Sequence, residues 1–388
     1  MPRPRAIRAL VRNRALRFSG GNGIELYTTG RAGLRAMLAA IEGAERRIHL
    51  ETYILRADQI GGEFLSSLAE RAADGVEVRV LYDAIGSFGL DESALEPLRA
   101  AGGEAVAFNP LIGPWARFAP RRRDHRKILV VDGELAFMGG LNIGDEYLSG
   151  LGAREPGAEW RDAHVRVAGP CVRDLEAVFL ESWFRADAPA LPWNSLLERQ
   201  PPPVGSVRCA VLPDGPTYRR RRTRELLLSA LETVEREVRV VSPYFAPGRR
   251  VLEALGAAGA RGVRVSLLLA GNRTDHPSLM RATRAVLPHL LERGVRVFEY
   301  DAAMMHAKLA CFDTHWCAVG TSNLDRQSFE HNYEVNLIVE DAEFAKGAAA
   351  VFDADAARAR EVSLESLGRR SLLERMLDGF WALVLRWI

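Results

Sequence analysis

Residues 125–142 and 306–323 carry one pattern twice: His-x-Lys-x4-Asp, followed by Gly and Asn at fixed spacing. The first copy supplies His125, Lys127, Asp132, Gly139 and Asn142, and the second His306, Lys308, Asp313, Gly320 and Asn323. Between these positions the copies have drifted, largely within apolar type. A repeat about 180 residues apart is too long for a solenoid and suits two homologous domains. The length of 388 residues agrees, since single cores rarely grow past about 250–300 residues.

The flanking sequence alternates helical and strand patterns, the order that builds α/β folds. Helical spacing over 31–44 and 63–73 alternates with strand patterns over 47–55 and 76–82. The second half repeats this with helices over 224–235 and 250–260 and strands over 237–244 and 263–270. "GVEVRVLY" at 75–82 answers "GVRVSLLL" at 262–269. A proline-rich stretch at 187–203 reads as the linker. The expected division is a basic N-terminal segment (1–20), a first domain (21–186), the linker, a second domain (204–360) and an amphipathic tail (361–388).

A composition of 48% hydrophobic and 26% charged residues excludes disordered, collagen-like and coiled-coil chains. The net charge of +2 argues against a general nucleic-acid binder. Of 52 basic residues only three are lysine (Lys127, Lys308 and Lys346), so two of the three stand inside the repeat. The four cysteines form no C-x-x-C pair and read as reduced core residues of a cytosol-facing protein, not a disulfide frame or zinc site. No stretch approaches the roughly 18–20 apolar residues that span a bilayer, and no secretory signal is read, so a soluble or surface-lying protein is expected.

The spacing carries chemistry. In an extended segment residues i and i+2 share a face, so each His and Lys point the same way. Asp132 and Asp313 fall off that face, and Asp132 precedes a glycine. They read as turn residues first, although they stand with the histidines and lysines among the candidate catalytic groups. Gly139, Gly140 and Gly320 are expected to let backbone approach a ligand closely. Together the copies give two lysines and two asparagines, an anion site suited to phosphate. Lysine ammonium groups repel a cation, so no metal is expected. Two histidines flanking a phosphate permit nucleophilic catalysis, one attacking phosphorus and the other moving the proton. Asp162 and Glu334 each open a strand pattern downstream of a motif and are the candidates for fixing the histidine tautomers.

This duplicated pattern resembles the signature of the phospholipase D superfamily and, more narrowly, of bacterial cardiolipin synthases without N-terminal transmembrane helices. The resemblance runs from about Ile24 to Glu340 and includes "HLETYIL" (49–55), "WRDAHVRVAGP" (160–170), "SPYFAP" (242–247) and "GTSNLDRQSFEHNYEVNL" (320–337). It implies two homologous α/β halves, each a mixed sheet flanked by helices, with one active site at their pseudo-two-fold interface. It also implies a phosphohistidine intermediate and no metal or other cofactor, with His125 as nucleophile and His306 as acid/base. Gly140 stands where many members have Ser, and Ser322 is the candidate hydroxyl in the other half. The implied reaction transfers a phosphatidyl group between two phosphatidylglycerol molecules. The alternatives are a phospholipase D-type hydrolase or nuclease-like phosphodiesterase, and a non-catalytic membrane-binding scaffold.

A lipid substrate requires docking on a membrane surface. Apolar residues from Leu372 to Ile388 repeat at helical spacing, and such a face either packs on the body or lies in an interface. The Arg-rich N-terminus and the aromatic–basic stretch 115–123 are the other docking candidates. Anionic phospholipid is thus the expected partner, nucleic acid is not, and oligomeric state is left open. The expected location is peripheral, on the cytoplasmic face of a bacterial inner membrane.

Overall fold

The computed structural model describes residues 16–110, 122–149, 159–191, 200–218 and 221–384. The Arg-rich N-terminus, Trp115 and Phe118, and residues 192–199 of the expected linker lie outside them.

Seventeen strands are described: β1 (Ser19–Thr29), β2 (Arg47–Thr52), β3 (Glu77–Asp83), β4 (Glu104–Phe108), β5 (Ile128–Val131), β6 (Leu135–Gly139), β7 (Arg161–Ala168), β8 (Val207–Asp214), β9 (Glu237–Ser242), β10 (Phe245–Ala246), β11 (Arg264–Ala270), β12 (Arg296–Tyr300), β13 (Leu309–Phe312), β14 (Trp316–Gly320), β15 (Leu324–Asp325), β16 (Glu334–Glu340) and β17 (Arg360–Val362). Fifteen form one sheet in the order β17-β12-β11-β9-β13-β14-β16-β8-β1-β7-β6-β5-β2-β3-β4. Outward from the central β8–β1 pair the two sides mirror each other: β7 matches β16, β6 matches β14, β5 matches β13, β2 matches β9, and β3–β4 match β11–β12. In each half the outer three of these strands run parallel and the rest antiparallel. The duplication read from sequence is therefore a pseudo-two-fold axis between β1 and β8, which pair antiparallel.

The apolar runs that predicted buried strands are buried in fact. One cluster joins Ile128, Met138 and Val165 of the first half to Leu309, Val319 and Leu337 of the second, so the halves share a core. Two further clusters sit under the helices of each half. All four cysteines are buried thiols. The expected boundary at residue 360 is corrected by β17, which crosses it and pairs with β12, attaching this stretch to the second half.

The helix Leu372–Val384 packs along the helix Pro277–Leu291. Its buried contact is polar: Asp378 is 4% exposed and is met by Arg370 and Arg281. Its apolar side faces outward, with Leu372 72%, Leu373 67%, Met376 64% and Phe380 55% exposed. Packing on the body and an open apolar face coexist in this one helix. No helix among the described residues is long and apolar enough to cross a membrane.

Candidate active site

The segment Asp124–Lys127 runs directly into β5 and bridges in parallel to Tyr333, just before β16. His125 N–H donates to the Tyr333 carbonyl at 3.0 Å, and Tyr333 N–H donates to Arg123 O at 2.8 Å. The second half repeats the brace: Met305 bridges to Arg161, and His306 N–H donates to Arg161 O at 2.7 Å. Each histidine segment is thus laid against the strand of the opposite half that carries a buried carboxylate.

The side chains follow the backbone. His125 Nδ1 meets Glu334 Oε2 at 3.0 Å, and His306 Nδ1 meets Asp162 Oδ2 at 2.7 Å. The sequence identified both acids; the structure adds that they pair crosswise. With Nδ1 donating to a carboxylate, Nε2 is the nitrogen left for chemistry. Lys127 Nζ donates to His125 O at 2.7 Å, while Lys308 Nζ lies 3.0 Å from His306 Nε2.

The two pairs are electrostatically unequal. Burial and the nearby Lys127 hold His125 well below the ordinary imidazole range, whereas burial and Lys308 lower His306 less far. Burial pushes Glu334 up to about 7 against the opposing Lys127, and the Thr321 hydroxyl donates to it. Asp162 behaves oppositely: burial would raise it, but His306 and Lys308 outweigh burial and hold it below its usual range. Burial lowers Lys127 to about 7 and Lys308 to about 8. A bound phosphate restores their ammonium forms, because its negative charge offsets the lost hydration.

Both histidines, Asn142 and Asn323 line one cavity of about 460 Å³ with Tyr53, Tyr147, Trp160, Tyr244, Asp275 and His276. The asparagines differ. Asn142 Oδ1 accepts from Ile54 N at 3.0 Å and its Nδ2 donates to the Tyr147 hydroxyl. Asn323 Oδ1 and Trp160 Nε1 are buried without a hydrogen-bond partner among the described residues. Tyr53, Trp160 and Tyr244 lie inside the quoted sequence segments but carry no spacing signal, and Tyr147 and His276, which no motif marks, also belong to the cavity.

Several expected site residues serve the framework instead. Asp132 and Asp313 adopt left-handed backbone (φ 56° and 51°) at the far ends of β5 and β13. Asp132 Oδ1 accepts from Arg46 and Arg47 N–H at 2.7 and 2.9 Å, and Asp313 does the same for Arg236 and Glu237 at 2.7 and 3.0 Å. They clamp turns, where a short acceptor side chain tolerates this conformation, and they do not reach the cavity. Gly139 has φ 148°, and a Cβ there would lie 2.4 Å from Ala163 O; one at Gly320 would lie 2.4 Å from Val335 O. A Cβ at Gly140 would lie 1.9 Å from Asp162 Oδ1. These glycines make room for neighbouring strands and the carboxylate, not for a ligand. Ser322 Oγ accepts from Asn336 Nδ2 at 2.8 Å, and Thr321 is the hydroxyl that reaches the carboxylate. Arg123, read with the anion-attracting cluster, is buried in an ion pair with Asp83 at 2.6 Å.

Among the described residues no group of His, Cys, Asp and Glu is arranged to hold a metal ion. Two ammonium groups at the site disfavour a cation, so turnover should be unchanged after exhaustive chelation with EDTA. Loss of turnover restored by a divalent ion would contradict this reading.

Crossed histidine–carboxylate pairs at the joint of two mirrored α/β halves define a bilobal protein of the phospholipase D type. Residues 37–183 and 227–356 match the family described as "Cardiolipin synthase, PLD-like domain", and the chain belongs to that family. It is 32% identical over 380 residues to "Cardiolipin synthase 1" of Bacillus cereus, covering 95% of this chain and 74% of the relative. It is 38% identical over 317 residues to the "Cardiolipin synthase" of Geobacillus kaustophilus, covering 81% and 62%. A phosphatidylserine synthase from Haemophilus influenzae shares the fold at 14% identity, with a TM-score of 0.74 over 98% of this chain and 97% of that one.

Proposed function

We propose that the protein is a phosphatidyltransferase that makes cardiolipin and glycerol from two phosphatidylglycerol molecules. The observation that carries this is the crossed, unequal pair of histidines in a single cavity, in a chain whose curated relatives are cardiolipin synthases. Neutral His125 attacks phosphorus through Nε2; the bond to the glycerol oxygen breaks, and His306, protonated on Nε2, gives that oxygen its proton. The second phosphatidylglycerol then surrenders a hydroxyl proton to His306 as its oxygen displaces His125. Lys127, Lys308 and Asn323 stabilise the charge on the equatorial oxygens. Water in place of the second alcohol would make the same residues a hydrolase. Incubation with phosphatidylglycerol in detergent micelles, read by mass spectrometry, should give cardiolipin and free glycerol. Phosphatidic acid as sole lipid product would assign hydrolysis instead.

The same reading puts the chain on the cytoplasmic face of a bacterial membrane, held by the outward apolar side of the helix Leu372–Val384. Its partner helix begins at Pro277, and Ser278 and Leu279 of that helix line the cavity, so one helix separates the docking face from the site. Burying four or five such side chains gains on the order of 5 kcal/mol, enough for reversible docking. Deleting residues 371–388 should release the protein from anionic vesicles and lower turnover on vesicles about tenfold or more, with a smaller loss in detergent. Unchanged flotation with a lower melting temperature would mark the helix as a packing element only.

A further inference from the structure

Behind His125 lies a charged cluster that has no counterpart behind His306. Glu51 of β2 pairs in register with Ile128, three residues past His125; Val241 of β9 pairs in the same way with Leu309, three residues past His306. Glu51 therefore corresponds to Val241. By the same axis Asp124 corresponds to Met305, and Arg126 to Ala307. Glu51, Asp124 and Arg126 are all 0% exposed, and Val241, Met305 and Ala307 are 5%, 0% and 7% exposed. The second half thus builds the same backbone from apolar side chains, so the fold by itself does not require charge here.

The geometry of the cluster is specific. Both oxygens of Glu51 and Oδ2 of Asp124 are buried without a well-formed hydrogen bond from a described N–H or O–H. The two carboxyls lie against each other, with the Ser182 hydroxyl also beside Glu51. Arg126 reaches outward to the Glu334 carbonyl at 3.3 Å, Ser182 Oγ at 2.8 Å, Glu181 at 3.2 Å and the Asp214 carbonyl at 3.5 Å. Asp83, Lys127 and Tyr218 are the other titratable groups facing the cluster. Asp83 is matched by Arg123, and Tyr218 donates to Glu181 at 2.6 Å. Two touching ionised carboxylates facing one guanidinium would leave a buried negative charge uncompensated. A single proton between them makes an O–H···O⁻ bond, satisfies the orphaned oxygens and leaves one negative charge for Arg126.

We infer that Glu51 and Asp124 hold one proton between them and, with Arg126, form a positioning unit that sets the His125–Glu334 bond. The link is direct, because Arg126 follows His125 in the chain and donates to the backbone of Glu334. Burial and the neighbouring carboxylate push Glu51 well above the usual range, and burial lifts Asp124 to about 6, in keeping with a shared proton.

Infrared spectra of the intact protein at neutral pH test the proton without any substrate. The carbonyl band of a protonated carboxylic acid should be present and should weaken in both Glu51→Gln and Asp124→Asn, each of which leaves one carboxylate with an amide donor. Glu334→Gln identifies the contribution of that carboxyl. Proton NMR of the imidazole N–H groups tests positioning: the His125 resonance should move in Glu51→Gln, while that of His306 stays. The triple variant E51V/D124M/R126A transplants the apolar set of the second half. It should fold and form the phosphohistidine about 100-fold more slowly, with breakdown of the adduct unchanged. This last arm alone rests on the proposed reaction. An acid band untouched in both single variants overturns the shared proton. A stationary His125 resonance, or a folded triple variant forming adduct at the parent rate, overturns the positioning role. If the triple variant unfolds, the spectra of Glu51→Gln decide.

Discussion

His125→Ala should lower turnover at least about 10⁴-fold and abolish any covalent phosphatidyl adduct, because the other carboxylate-held imidazole, His306, is lowered less far and is the one left to carry the proton. The argument rests on protonation. Attack on phosphorus needs a free lone pair, and His125 is held neutral by burial and the adjacent Lys127. Expelling an alkoxide needs an acid: burial and Lys308 lower His306 too, but less far than His125, and the carboxylate 2.7 Å away, held below its usual range, favours the protonated form. His306→Ala should therefore fail with a glycerol leaving group yet accumulate adduct from a donor with an aryl leaving group, which departs without a proton. Mass spectrometry of the peptide bearing residue 125 reads the result. An adduct on His306 in the His125→Ala protein would reverse the two roles.

Asp162→Asn should cost about 10³–10⁴-fold in turnover, the loss seen when an orienting carboxylate becomes an amide and the imidazole takes the wrong tautomer. Glu334→Gln should cost much less, on the order of 10-fold to 100-fold, because burial already brings Glu334 to about 7 and the Thr321 hydroxyl supports the same oxygen. Rates of both variants beside their melting curves check this. Equal losses would mean that the two histidines do not divide the work as described.

The fold was legible because the duplication is written in residues that chemistry and turns constrain. The same short set of charged and small residues survives where the apolar filling drifts freely, and the strands at 75–82 and 262–269 have near-identical patterns. The acids were legible too, since a carboxylate opening a buried strand stands out. Their crossing was not: spacing says that Glu334 begins β16, but only the bridge from Asp124 to Tyr333 gives it to His125. The motif aspartates misled for the opposite reason. They keep their spacing because three backbone N–H groups depend on each, a demand that looks the same in sequence as catalysis. The glycines misled likewise, since space for Asp162 and space for a ligand leave one signature. The cavity aromatics, Tyr53, Trp160 and Tyr244, sit in irregular segments where no periodicity marks them.

The central antiparallel pairing of β1 with β8 has a genealogical consequence. The carboxylate and the backbone carbonyl that hold each histidine come from the opposite half, so a single half carries two incomplete centres and no whole one. Such an arrangement works only as an isologous pair, in which each copy lends the other what it lacks. Joined in one chain, the pair no longer depends on concentration to assemble. Fusion also releases the partners from identity. Two copies encoded once must change together, whereas two encoded in tandem can place Gly140 opposite Thr321, and Glu51 opposite Val241. One ancestral residue could then become a nucleophile on one side and a proton carrier on the other.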